Sequence, residues 1–202
     1  MGGNDWFATE SGQDLTSAAA AKVGPWLGYL AGHNALILQP CTQGLPAPAL
    51  QFHSLTRLER ANSRFYGDFQ ADDADLPLSS DCMALVYATF VLETSPHPAA
   101  LLREFERLLL AEGHLAILAL NPFSPSRLGG KWRGLELHSA AYWTHALQAT
   151  GFELLRRQRL GESYRPDVLC SVNFLLARKR KAALTPIRKH GNAALIREPT
   201  AS

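Results

Sequence analysis

Glu93 follows an apolar run, Ala84-Leu85-Val86-Tyr87-Ala88, that reads as a strand, and it shares the rim of that strand with Thr89 and Thr94. A carboxylate in such a place can take a proton from a hydroxyl or amine nucleophile. A lone glutamate ahead of a Ser-Pro turn more commonly faces water. Asn121 follows a second apolar run, His114-Leu115-Ala116-Ile117-Leu118-Ala119-Leu120. Parallel α/β sheets bind ligands at the carboxyl ends of their strands, which makes Asn121 a candidate for the substrate side. Its simpler role is to start the turn at Pro122. Asp72 and Asp73 are adjacent carboxylates, either acceptors for a ligand's hydrogen bonds or polar loop residues. Trp132, Tyr142 and Trp143 could line a pocket, although aromatic residues in a helical region more often pack the core.

Other chemistries are disfavoured. The seven histidines, His33, His53, His97, His114, His138, His145 and His190, form no i,i+4 pair and no H-E-x-x-H, so no metal site is expected. Neither G-x-S-x-G nor G-x-x-x-x-G-K-[ST] occurs, against the commonest hydrolase and nucleotidase sites. Cys41, Cys82 and Cys170 are odd in number and widely spaced, which suits a reducing compartment rather than a disulfide framework or zinc.

The elements that must position these residues are readable from the pattern. Asp14 is placed to cap a helix through Ala18–Val23 that Gly24-Pro25 interrupts. Ala35-Leu36-Ile37-Leu38 reads as a strand buried on both faces, and Leu50 to Leu55 as a second strand. Arg57 to Ser63 suggests one or two helical turns, and Phe65 to Gln70 a third strand. Pro98 opens a helix through Leu-Leu-Arg-Glu-Phe-Glu-Arg-Leu-Leu-Leu, with apolar residues at helical spacing. Ser139 caps another through Thr150, stopped by Gly151. Phe152 to Leu160 and Cys170 to Ala177 pair as a closing hairpin. The predicted fold class is α/β: a doubly wound, mostly parallel Rossmann-like sheet with one antiparallel member at its C-terminal end. Only 11 residues, 39 to 49, separate Leu38 from Leu50, and two of them are proline, which leaves no room for an ordinary crossover helix.

With 202 residues, 47 % apolar and 19 % charged, the chain is long enough and apolar enough for one globular domain. Its net charge of +2 is uneven. From Arg178 onward seven basic residues face one acid, a tail of +6 on a body of −4. Such a tail suits nucleic acid or anionic lipid, or is a solvated end, the commoner case. No stretch approaches the roughly 18 apolar residues of a membrane span. The N-terminus shows no charged segment followed by an apolar core, so a cytoplasmic protein is expected.

Three segments together resemble one family. Asp72-Asp73-Ala74-Asp75-Leu76-Pro77-Leu78 resembles a G-D-A-x-x-L-P-F segment. Leu101-Leu102-Arg103-Glu104-Phe105-Glu106-Arg107-Leu108-Leu109 resembles an L-R-E-x-x-R-V-L helix, and Ala111-Glu112-Gly113-His114-Leu115-Ala116-Ile117 resembles a P-G-G-x-L-x-I strand entry. These belong to the class I S-adenosylmethionine (SAM) dependent methyltransferases, in the group that includes the ubiquinone and menaquinone biosynthesis enzymes. The resemblance implies an N-terminal helical segment (1–31), a methyltransferase-like domain (32–177) and a basic tail (178–202).

It also implies SAM as cofactor, held by Leu38, Gln39 and Cys41 after the first strand, by Asp72 at the adenine amino group with Asp73 beside it, and by Thr89. Glu93 and Asn121 fall on the substrate side. The sequence departs from the family where that family carries D-x-G-x-G-x-G. Ile37 stands for the acid, and Gln39, Cys41 and Gln43 stand for the glycines. The second-strand acid that holds the ribose is not obvious either, Glu59 falling late. Asn121-Pro122-Phe123 is similar to the N-P-P-Y motif of nitrogen methyltransferases, but follows the fifth strand and lacks the second proline. Methyl transfer itself needs little beyond alignment of nucleophile and methyl group. Two functions therefore stay open: methyl transfer to a small-molecule or protein acceptor, or a catalytically inactive scaffold or regulatory module. The acceptor and the oligomeric state are not legible.

Overall fold

Alternate residues of the central strands enter two separate cores. Leu36 and Leu38 point into one with Val86, Ala88, Leu115 and Ile117, while Ala35 and Ile37 point into the other with Leu85, Tyr87, Ala116 and Leu118. All eight of the core partners on the two neighbouring strands are buried, as expected for strands covered on both faces. The computed structural model describes residues 3–127, 132–161 and 170–180. It contains a 3-10 turn at Gly3–Ala8, helix α1 (Glu10–Leu27), strands β1 (Ala31–Gln39), β2 (Gln51–Ala61), β3 (Arg64–Gly67) and β4 (Met83–Thr89), helix α2 (Pro98–Leu108), strand β5 (Leu109–Leu120), helix α3 (Ala140–Ala149), and strands β6 (Phe152–Leu160) and β7 (Val172–Lys179).

These strands form one seven-stranded sheet in the order β3-β2-β1-β4-β5-β7-β6. β1 pairs in parallel with both β2 and β4, and β4 with β5. β7 runs antiparallel between β5 and β6, as the closing hairpin predicts. Helix α1 covers one face through Ala19, Val23 and Leu27. On the other face lie Leu101, Leu102, Phe105 and Leu108 of α2 with Trp143 and Leu147 of α3. Each such burial stabilises by about 1.5–3 kcal/mol relative to exposure.

Four local expectations are corrected. Arg57 to Ser63 is not helical: it continues β2, with Leu58 and Arg60 turned inward. Two strands lie antiparallel rather than one, because β2 and β3 are joined only by Asn62 and Ser63, too few residues for a parallel crossover. Asn62 takes the left-handed conformation there, φ 57°, which asparagine tolerates better than most residues. The first helix is capped by Thr9, whose Oγ1 accepts from Gly12 N at 3.3 Å, not by Asp14. It also runs through Gly24-Pro25 to Leu27, so Pro25 costs the helix only one hydrogen bond close to its end.

The expected lack of a helix between β1 and β2 is observed: residues 40–50 contain none. Cys41 and Leu45 of that loop pack on the α1 face in place of a helix. Farther out on β2, His53, Leu55 and Arg57 are left exposed. The basic tail expected from Arg178 lies outside the described residues beyond Arg180. None of the helices described is long and apolar enough to cross a membrane.

The N-terminal turn is clamped onto α1 at Gly12, where an added Cβ would lie 2.7 Å from Phe7 Cα. The clamp seats Phe7 on Phe90, ring centroids 5.1 Å apart, and Trp6 against Trp132 at 5.9 Å. Gly12→Ala, which by helix propensity alone would stabilise by about 1 kcal/mol, is expected instead to destabilise by about 1–3 kcal/mol through overpacking. Urea unfolding of the two proteins measures the sign.

Candidate functional site

At the carboxyl end of β1 the side chains turn inward. Leu38 belongs to the core, Gln39 is 2 % exposed and Cys41 6 % exposed. The Gln39 side-chain amide donates to the carbonyl of Leu45, pinning the loop down over the strand end. Burial pushes the Cys41 thiol pKa up. No helix follows β1 before β2, so no crossover-helix N-terminus is supplied at this end.

The neighbouring end of β2 holds a buried ion pair. Arg60 and Asp73 are joined directly, their side chains 0 % and 2 % exposed. Ser95 Oγ donates to the other Asp73 oxygen, and the Arg60 guanidinium stacks 4.1 Å from the Phe65 ring centroid. Desolvation lowers the Arg60 pKa and Asp73 opposes it. Asp72 points the other way, to solvent, where Arg64 Nε and Nη2 donate to its two oxygens at 2.7 and 2.8 Å. Those bonds hold its carboxyl below the ordinary range. The adjacent aspartates thus have different surroundings, and neither has a free carboxylate.

The β4–β5 rim is different. Thr89 is buried, and its Oγ1 has no hydrogen-bond partner. Glu93 is 2 % exposed; Oε1 accepts from Leu120 N at 2.6 Å while Oε2 has no partner. Burial pushes its pKa up to about 8, against the smaller lowering effect of its backbone hydrogen bonds. Asn121 is buried and engaged on both sides: Nδ2 donates to the Cys170 carbonyl at 2.7 Å, and Oδ1 accepts from Phe123 N at 3.2 Å. That second bond is the local turn the sequence allows for. Among the described residues, no group of three or more His, Cys, Asp or Glu is placed to hold a metal ion.

The methyltransferase domain family model matches residues 48–117, from just before β2 into β5. Among solved structures, a chain from the complex of the Haloferax volcanii Trm112 methyltransferase activator superposes with a TM-score of 0.61 at 10 % identity, over 88 % of this chain and 95 % of that one. A SAM-dependent methyltransferase from Mesorhizobium loti gives 0.54 at 13 % identity over 80 % and 98 %. The [4+2]-cyclase SpnF gives 0.56 at 15 % over 85 % and 82 %. No curated protein matches by sequence. This is a class I methyltransferase fold.

Within that fold, the methyltransferase match begins after the β1 loop, the stretch where the sequence departs from the family's glycine pattern. Gln39 and Cys41 stand buried at the strand end where the family carries glycines, and Asp72 is paired with Arg64 at the surface. Glu59, expected to fall late, lies at the carboxyl end of β2 in register with Gln39, the strand on which the resemblance implies an acid that holds the ribose, and Arg60 beside it is buried. Sequence reading missed Arg60, because a charged residue in a stretch taken as helical gave no sign of burial. It also missed Arg127 and Arg133, which line a cavity of about 780 Å3 beyond the carboxyl end of β5. Trp132 lines the same cavity.

Three outcomes follow for these carboxylates. Removing one partner of a buried ion pair strands the other, so Asp73→Ala is expected to cost about 3–5 kcal/mol, largely recovered by Arg60→Met with Asp73→Leu. Asp72→Ala leaves the urea midpoint in place. Glu93 binds its proton more tightly in the folded chain than at its ordinary pKa of 4.5. Its contribution is therefore complete below pH 4.5 and lost as pH rises toward 8, at up to about 1.4 kcal/mol per pH unit. Glu93→Gln should flatten that fall in urea midpoints between pH 5 and 8; equal slopes in both proteins would deny a buried, protonated Glu93.

Proposed function

We propose that this chain is a methyltransferase-fold binding protein that does not load SAM at the end of β1. The observation that carries the reading is the closure of that end by the protein's own buried side chains, Gln39 held on the Leu45 carbonyl and Cys41 beside it. A cofactor entering there would have to displace packed side chains and break the Gln39 bond. It would find no crossover-helix N-terminus in return, though Glu59 stands opposite Gln39 at the end of β2. Fold alone does not fix a reaction, as the likeness to a [4+2]-cyclase illustrates.

SAM-dependent methyl transfer to a small molecule or protein is the second reading. It is favoured by the methyltransferase domain match and by two buried oxygens on the β4–β5 rim, Thr89 Oγ1 and Glu93 Oε2, that lack partners. Calorimetric titration of the full chain with SAM and with S-adenosylhomocysteine separates the two. No heat of binding near a millimolar is the expected outcome, for wild type and Asp72→Ala alike. Binding in the micromolar range, about −8 kcal/mol, would overturn the first reading, and weakening by Asp72→Ala would then place the adenine.

A further inference from the structure

We propose that His33 and His53 form a two-histidine chelate for a divalent transition metal, zinc being the cation their geometry suits. The pair lies toward the amino ends of β1 and β2, so the proposal goes beyond the reading above and does not depend on whether SAM binds. Gly32 pairs with Phe52 and Asn34 with Ser54, which sets His33 directly beside His53 on the neighbouring strand. Local spacing gives no sign of the pair, since the sheet brings the two residues together. Both are exposed. Their ring centroids are 5.4 Å apart and their planes are inclined by 33°.

That spacing is the one zinc requires of two imidazoles. A ligating ring nitrogen sits about 2.0–2.1 Å from zinc, which places the ring centre about 3.2 Å from it. At a tetrahedral angle two such centres stand about 5.2 Å apart. The tautomer fits as well. His53 Nδ1 lies 3.4 Å from the Gly32 carbonyl, a long contact in which only the ring nitrogen can donate. A proton on Nδ1 leaves the Nε2 lone pair for a metal, and metal-bound imidazoles commonly anchor their other nitrogen on a carbonyl in this way. Among the described residues no third His, Cys, Asp or Glu completes the set. The remaining coordination positions therefore fall to water, as in open zinc sites.

The missing crossover helix is what leaves the pair open. Ala35 and Ile37, farther along β1, enter the core on the α1 face, and strand alternation puts His33 on that same face. Helix α2, in the β4–β5 crossover, lies on the opposite face. The β1–β2 crossover steps the other way along the sheet, so a right-handed connection belongs on the α1 face. Residues 40–50 hold no helix to cover it, and Cys41 and Leu45 pack there only beside the carboxyl end of β1. The backbone under the rings is fixed. β1 lies between β2 and β4, and Asn34 Nδ2 donates to the Cys82 carbonyl at 3.1 Å. Ligands held in place before the metal arrives lose little freedom on binding it.

The test is calorimetry of the full chain with zinc chloride, with magnesium chloride as the control. Side-by-side rings on adjacent strands also pack without any metal, so the variants are His33→Phe and His53→Phe, which keep a flat ring and remove the lone pairs. Zinc should bind wild type roughly tenfold or more tighter than magnesium, which prefers oxygen ligands. Each substitution should weaken zinc binding roughly tenfold or more. The double variant should lose little beyond either single one, because the same chelate is broken in all three. Zinc should also raise the urea midpoint of wild type more than that of either variant. No zinc binding near a millimolar, magnesium binding as tight as zinc, or zinc binding that either substitution leaves unchanged in a variant with wild-type circular dichroism would overturn the assignment.

Discussion

Two parallel strands, β1 and β2, are joined by residues 40–50 alone, and this short crossover constrains the whole β1–β2 side of the sheet. Parallel neighbours usually need a dozen or more residues between them, and that length normally includes a helix packed on the sheet. Here the loop must reach from the end of β1 back to the start of β2 and also shield the sheet. Cys41 and Leu45 do the shielding, and the Gln39 amide fixes the loop by a bond to its own backbone. A glycine-rich turn would leave this strand end bare. Side chains of ordinary size close it, and they also reduce the backbone freedom the unfolded chain loses on folding.

The closure extends to β2. Burying a guanidinium is unfavourable unless a carboxylate and further hydrogen bonds compensate it. Asp73, Ser95 and the Ser63 carbonyl supply these around Arg60, and the Phe65 face adds to them. The network joins β2 and β3 to the loops preceding β4 and α2, so the hairpin is tied to the domain centre by charge as well as by packing. Exposed β2 residues such as His53 and Arg57 mark where that attachment ends. Such a pair adds little net stability over apolar replacements. What it does is fix which of two adjacent aspartates faces inward.

Much of this was legible in the residues, for physical reasons. Strands buried on both faces are continuous apolar runs, so β1, β4 and β5 were readable from composition, and α2 from its helical spacing behind Pro98. The missing crossover helix followed from counting residues against the two prolines. The course of β2 past Arg57 was hidden because its inward residues include Arg60, a charge at a core position that breaks the alternation. Its antiparallel partner was hidden with it, since the two-residue turn at Asn62 is visible only once both strands are known. Asp72 and Asp73 are chemically identical in the sequence, and only the tertiary position of Arg60 distinguishes them.

Buried polar groups without partners are costly, and proteins retain them where function demands it. At the β1 end the Gln39 amide is bonded, while Arg60 Nε close by on β2 is buried without a partner. Others lie near the β4–β5 rim: Glu93 holds a carboxyl at a pKa near 8, and Thr89 Oγ1 and Trp132 Nε1 are unpartnered. Packing alone gives no reason to keep these features, since apolar or paired residues would be more stable at each position.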